Sequence, residues 1–208
     1  GRPRAFDRDT ALRRAMEVFW EHGYEGASLA DLTRAMGINR PSLYAAFGCK
    51  EELFRETVAL YDATDGSVTG RALAEEPTAR AAVEAMLRGN AEYYATPGKP
   101  SGCMIVLSAT LGAPENAGVR DHLARLRRGG QEALRRRLER GIADGDVPEG
   151  VDAAALAAFY TAVLQGLSVQ ARDGAAREAL HGVVDAAMAA WDALAAPPPG
   201  GGAARTAV

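Results

Sequence analysis

The sequence predicts an all-α protein, with an N-terminal helix-turn-helix unit of three helices and a larger helical domain behind it. Three observations carry this. Apolar residues make up 48% of the chain but aromatics only 6%. Alanine fills the difference, and it has the best helix propensity, whereas strands favour β-branched and aromatic residues. Apolar side chains recur at spacings of three and four, and glycine- and proline-bearing breaks cut the chain into helix-length pieces.

The bulk numbers narrow the classes. A chain of 208 residues is long enough for a sizeable core in one or two domains. A formal net charge of -3 argues against a general nucleic-acid coat and leaves room for a local basic patch. Two cysteines, Cys49 and Cys103, make no disulfide framework, so a reducing, cytoplasmic setting is expected. No apolar signal core follows Gly-Arg-Pro-Arg. Residues 153–171 carry no charge, but Thr161, Gln165, Ser168 and Gln170 interrupt them. A buried helix is expected there rather than a membrane span.

Each element has its own signals. The first helix starts in the Asp7–Asp9 region and stops at Gly23, with Leu12, Ala15, Met16 and Phe19 as its stripe. The second runs from Ser28 to Met36; Ser28-Leu-Ala-Asp31 is a capping-box pattern, and Gly37 ends it. The third runs from about Asn39 to Phe47, because Asn39 suits an N-cap and Pro41 is tolerated only in a first turn. The fourth, Lys50 to about Ala63, carries Leu53, Phe54, Val58 and Tyr61 on one side. Residues 65–70 read as a break. Helices are then expected at about 78–95, 103–111, 119–143, 152–172 and 175–195. The Gly129-Gly130 pair is a candidate bend in the long one. The division is 1–50, 51–196 and a low-complexity tail, 197–208, without material for a core.

Residues 28–50 gather what a DNA reader needs. Two short helices meet across Gly37-Ile38-Asn39, the length of a helix-turn-helix turn. Arg40 can make a bidentate contact to a guanine edge, and Asn39 can read adenine or simply cap. Ser42 and Tyr44 bring hydroxyls suited to phosphate oxygens. The helix starts at Ser28 and Asn39 present amides to anions, and Lys50 can hold a further phosphate. Arg2 and Arg4 form a short basic arm able to reach the backbone or a minor groove.

These residues carry a resemblance. The patterns "FW..GY.G.S", "DL....GI" and "PSLYAAFG.KE.LF" between Phe19 and Phe54 resemble the DNA-binding domain of the TetR family of bacterial transcriptional repressors. The resemblance covers about the first quarter of the chain. It implies that the third helix enters the major groove, with Arg40 and Pro41 at bases and Ser42, Tyr44 and Lys50 at phosphates. Thr33 is a further candidate. Ala45 and Ala46 stand where members often carry a large aromatic or a histidine, and Cys49 replaces a commoner small polar residue. Ala45 can still meet a thymine methyl.

The resemblance also implies a helical ligand-binding and dimerisation domain, an operator of double-stranded DNA, and repression relieved by a small-molecule inducer. From the residues, the last helix shows a full stripe that includes Leu180, Val184, Met188 and Trp191, and the helix before it is apolar nearly all round. Pairing with a second copy in a four-helix bundle would cover both, so Leu156, Val163 and Leu167 join that stripe as the expected homodimer interface. Met86, Asn90, Tyr93, Tyr94, Cys103, Met104, Phe159, Tyr160 and Gln165 are the candidate ligand lining, which favours an apolar or aromatic inducer. Cys103 follows a loop at a helix start, where the dipole lowers a thiol's pKa, so oxidant or electrophile sensing is an alternative.

The most basic segment is elsewhere. Eight arginines lie between Arg120 and Arg140, but Leu123, Leu126, Leu134, Leu138 and Ile142 give that helix a core stripe. It reads as a solvated, ion-paired face. His22, His122 and His181 are scattered, so no catalytic, cofactor or metal site is expected. A helical interaction protein that no longer reads DNA is the remaining alternative.

Overall fold

Short polar side chains set where the helices begin in the computed structural model, which describes residues 6–196. The Arg2 and Arg4 arm and the 197–208 tail lie outside the described residues. Helix α1 (Arg8–Gly26) is capped by Asp7, and Gly23 is non-helical inside it, where the sequence places its stop. Ser28 caps α2 (Leu29–Met36), and Asn39 caps α3 (Arg40–Phe47). Cys49 and Glu52 cap α4 (Lys50–Ala63) reciprocally. The thiol accepts from the Glu52 N–H, and the Glu52 carboxylate accepts from the Cys49 N–H at 2.8 Å. That gives the unusual Cys49 a structural use.

The rest is helical too: α5 (Val68–Glu75), α6 (Ala79–Tyr94), α7 (Met104–Leu107), α8 (Ala117–Asp144), α9 (Ala153–Arg172), α10 (Arg177–Ala189) and α11 (Trp191–Leu194). Four expectations need correction. α5 occupies part of the expected break; Leu73 is its one buried residue, too little for a visible stripe. α7 stops at Leu107, and Leu111 is exposed beyond it. α8 runs as one helix through Gly129-Gly130, where nothing crowds either glycine. The last helix divides at Ala190.

Two cores form. The first joins α1–α4 with Met104 of α7 and with Val119 and Leu123 of α8, so it continues past residue 50. Phe19, Tyr24 and Phe54 pack edge-on and stacked within it. The second core joins α6, the later half of α8, and α9–α11. α9 is long and apolar enough to cross a membrane by length and composition. Its inner face nevertheless packs on α6, α8 and α10.

The cores meet at the Gly102 turn. Its φ is +77°, and a Cβ would lie 2.6 Å from the Ser168 carbonyl oxygen. A Gly102→Ala change is therefore expected to destabilise by about 2 kcal/mol or more, combining left-handed strain with the clash. Gly98→Ala, at φ +79° in open space, should cost about 1 kcal/mol from strain alone. Urea unfolding of the two variants checks the difference.

Candidate nucleic-acid interface and interior chamber

The turn between α2 and α3 follows from local chemistry. Gly37 takes a left-handed conformation at φ 69°, which only glycine adopts without strain. Its N–H and that of Ile38 close the end of α2 on the carbonyls of Arg34 and Thr33. Leu32, Met36, Leu43 and Phe47 are buried with α1 residues. That burial orients α3: Arg40, Pro41, Tyr44 and Ala45 are left exposed, with Tyr44 at 48%.

The candidate contacts then separate by what already holds them. Arg40 has no ion-pair partner among the described residues. The Asn39 side chain accepts from the Ser42 N–H at 2.9 Å, so it caps rather than reads. Ser28 is likewise spent on Asp31. Thr33 donates back to the Leu29 carbonyl at 2.8 Å. Ser42 is half-buried. The Lys50 ammonium lies 4.5 Å from the Tyr24 ring centre, and burial lowers its pKa while Glu25 opposes that shift. In this state Lys50 rests on an aromatic ring rather than reaching outward.

A chamber of about 130 Å³ lies between the cores. Of the candidate lining residues, Met86, Asn90, Tyr94, Cys103 and Gln165 lie on its wall. Four expected residues do not. Tyr93 stacks on Trp20 and donates to Asp65. Met104 is fully buried in the first core. Phe159 is exposed on the outer side of α9. Tyr160 is buried and donates to the Ala187 carbonyl at 3.2 Å. The α9 residues that do reach the chamber, Thr161, Leu164 and Gln165, share one helical face. Tyr61, Arg127 and Gln131 complete it from α4 and α8. Arg127 was hidden in the arginine-rich run, and Tyr61 in an ordinary core stripe.

The Cys103 thiol corrects another expectation. Burial pushes its pKa up, while hydrogen bonds from Tyr61, the backbone and Tyr94 oppose the shift. α7 is one turn long, too short for its dipole to outweigh desolvation. A wider cleft of about 720 Å³ lies between α1 and residues 98–100, but it is open and largely charged.

Comparison with known proteins agrees with this architecture. Residues 11–57 match the model for bacterial regulatory proteins of the tetR family. Residues 79–187 match that for a tetracycline-repressor-like C-terminal domain. The chain belongs to the TetR family. The Escherichia coli repressor ComR is 34% identical over 93% of this chain and 93% of the relative. A solved structure of the TetR-family regulator CifR, a cysteine-substituted variant complexed with 26-base-pair double-strand operator DNA, is 52% identical. It covers 91% of this chain and 100% of that one, at TM-score 0.89. A Rhodococcus sp. RHA1 regulator is 42% identical over 90% of this chain and 98% of that one, at TM-score 0.58. This TetR-family chain is thus an all-α transcriptional regulator, related to repressors rather than to enzymes.

Its DNA-binding unit is tied directly to the larger domain. The Trp20 indole N–H donates to the Gly102 carbonyl at 3.0 Å, and Arg172 donates to the carbonyls of Trp20 and Glu21. Glu25 accepts from Ala113 N–H and from Asn116, which lowers its pKa. Six of the eight arginines of the basic helix α8 are held locally. Arg135 and Arg136 pair with Glu132 or Glu139, and Arg120, Arg127, Arg137 and Arg140 donate to backbone carbonyls.

The exposed face of α3 separates two kinds of variant. Arg40→Ala should weaken binding to the preferred duplex by about 1–3 kcal/mol and relax selectivity at one base pair, without changing stability. Asn39→Ala should instead lower folding stability by about 1 kcal/mol through loss of the cap. Fluorescence anisotropy with matched and mismatched duplexes, beside thermal unfolding, distinguishes them.

Proposed function

We propose that this TetR-family protein is a ligand-responsive repressor that binds a pseudo-palindromic operator as a homodimer and lets go when a small molecule fills the chamber. The observation that carries the reading is the free face of α3, where Arg40 and Tyr44 stand exposed beside a helix start. Tyr44 and Ser42 suit phosphates, Arg40 suits a guanine edge, and Pro41 and Ala45 suit apolar contact with base edges. A small, mostly apolar effector fits the lining, with Asn90, Arg127 and Gln165 as polar handles.

Dimerisation uses a different face from the one the sequence suggests. Leu156, Leu167, Leu180, Val184, Met188 and Trp191 are buried within one chain, and Val163 packs against the same core. Inward-facing residues carry the strongest apolar stripe, so the stripe marks the subunit's own core. The outer faces of α9 and α10 remain. They present Ala155, Phe159, Ala162 and Val169 beside Gly182 and Ala186. Small residues there let a second copy approach closely in a four-helix arrangement. A dimer places two α3 helices about one DNA turn apart, roughly 34–36 Å.

The switch requires the effector to bind the released state better than the DNA-bound one, by several kcal/mol for a nearly complete change. The hydrogen bond from Trp20 to Gly102, the residue before the chamber-lining Cys103, supports α1 as a route for it.

Selection from a randomised duplex pool tests the reading. A two-fold consensus whose binding weakens steeply with salt is expected; enrichment of no sequence would sink the repressor function. Ala162→Glu should leave the monomer folded, turn the sedimenting species from dimer to monomer, and reduce operator affinity at least about a hundredfold, since half the contacts leave. A dimer that persists in that variant would exclude this face.

A further inference from the structure

We propose that Cys103 is the covalent acceptor for a small uncharged α,β-unsaturated carbonyl compound, with Tyr61, Tyr94 and Arg127 holding the oxygen that takes up charge. The proposal rests on the reading of the chamber as the effector site.

The chamber contains more than a cysteine. Tyr61 and Tyr94 are 1% and 3% exposed and both line it. Among the described residues, neither hydroxyl has a nitrogen or oxygen partner; what they face is the Cys103 sulfur. Sulfur is a weak acceptor, so both hydroxyls remain available to a ligand oxygen. Arg127 joins the same wall. It donates one hydrogen bond to the Ile105 carbonyl at 2.8 Å and has no carboxylate partner among the described residues. Asp62, the lining's one carboxylate, is exposed. A nucleophilic sulfur therefore shares a small space with two phenols and a guanidinium, the set that stabilises oxygen becoming anionic.

The step balances without another reactant. The sulfur forms a bond to the β-carbon, and the π electrons move onto the carbonyl oxygen. The phenols and guanidinium hold that enolate, and the thiol proton ends on the α-carbon. The net change is addition of S–H across C=C, with nothing oxidised or reduced overall.

An oxidant fits the site less well. Cys49, the other cysteine, is exposed and caps α4, so no resolving thiol stands beside Cys103. The chamber's size also selects. At about 130 Å³, it lies well below the roughly 300–1,000 Å³ of pockets for drug-sized ligands. An adduct would press on the junction of the domains. The Cys103 N–H donates to Ser168 Oγ at 2.8 Å, and the adjoining Gly102 carbonyl holds Trp20.

Cyclohex-2-enone is a suitable probe for the full-length protein. Intact mass spectrometry should find one enone per chain, absent in Cys103→Ala and retained in Cys49→Ala. In the Tyr61→Phe/Tyr94→Phe double variant, addition should slow at least tenfold. Its rate with iodoacetamide, which develops no carbonyl anion, should fall much less, only as far as loss of the two hydrogen bonds to sulfur raises the thiol's pKa. Enone treatment should weaken operator binding at least tenfold in the wild type and not in Cys103→Ala. Modification at Cys49 alone, no modification, equal slowing with both reagents, or release by hydrogen peroxide but not by enone would each overturn the proposal. The mass measurement needs no DNA. Failure of the untreated protein to bind any duplex would therefore strike the repressor reading alone.

Discussion

The structure depends on the turn at Gly102, where three helices have to share one small space. Its left-handed conformation and the adjacent Ser168 carbonyl leave no room for a side chain. That closeness lets the Gly102 carbonyl receive the Trp20 indole and the next amide reach Ser168 Oγ. Arg172, one turn along α9, completes the junction by donating to the end of α1. A chamber on one side of the turn and a DNA-binding unit on the other share these few hydrogen bonds. Buried hydrogen bonds are costly to leave unmade, so the Trp20 bond holds the turn and α1 together at this junction.

Charge plays a smaller part than its amounts suggest. The acidic chain carries its densest basic run on α8, yet those arginines largely serve carboxylates and carbonyls of their own subunit. Exposed ion pairs of this kind contribute about 0–1 kcal/mol each; they shape the surface more than they stabilise it. On the exposed face of α3, Arg40 has no ion-pair partner among the described residues. Arg40 is left free because α3 buries Leu43 and Phe47 on the opposite side.

The N-terminal unit was legible because its signals are local. A cap, a proline in a first turn and a glycine at a helix end act over a few residues, so spacing alone places α2 and α3. The chamber was half legible. Met86, Asn90, Tyr94, Cys103 and Gln165 were identifiable, but Tyr93, Met104, Phe159 and Tyr160 share their chemistry and face other ways. Adjacent helical residues differ in direction by about 100°, and composition carries no record of that angle. Arg127 was missed for the converse reason: a chamber donor looks like surface when its neighbours in sequence are arginines.

By itself the sequence determined the fold class, the helix-turn-helix and the family that the chain belongs to. Each rests on periodicity or on contacts within one turn of helix. Tertiary structure alone decided which apolar stripe of α9 and α10 is the subunit's own core and which face stays exposed. It also decided that the Cys103 thiol is held up by burial rather than lowered by a helix dipole. Both depend on what lies opposite a side chain in space, and those partners come from helices tens of residues away.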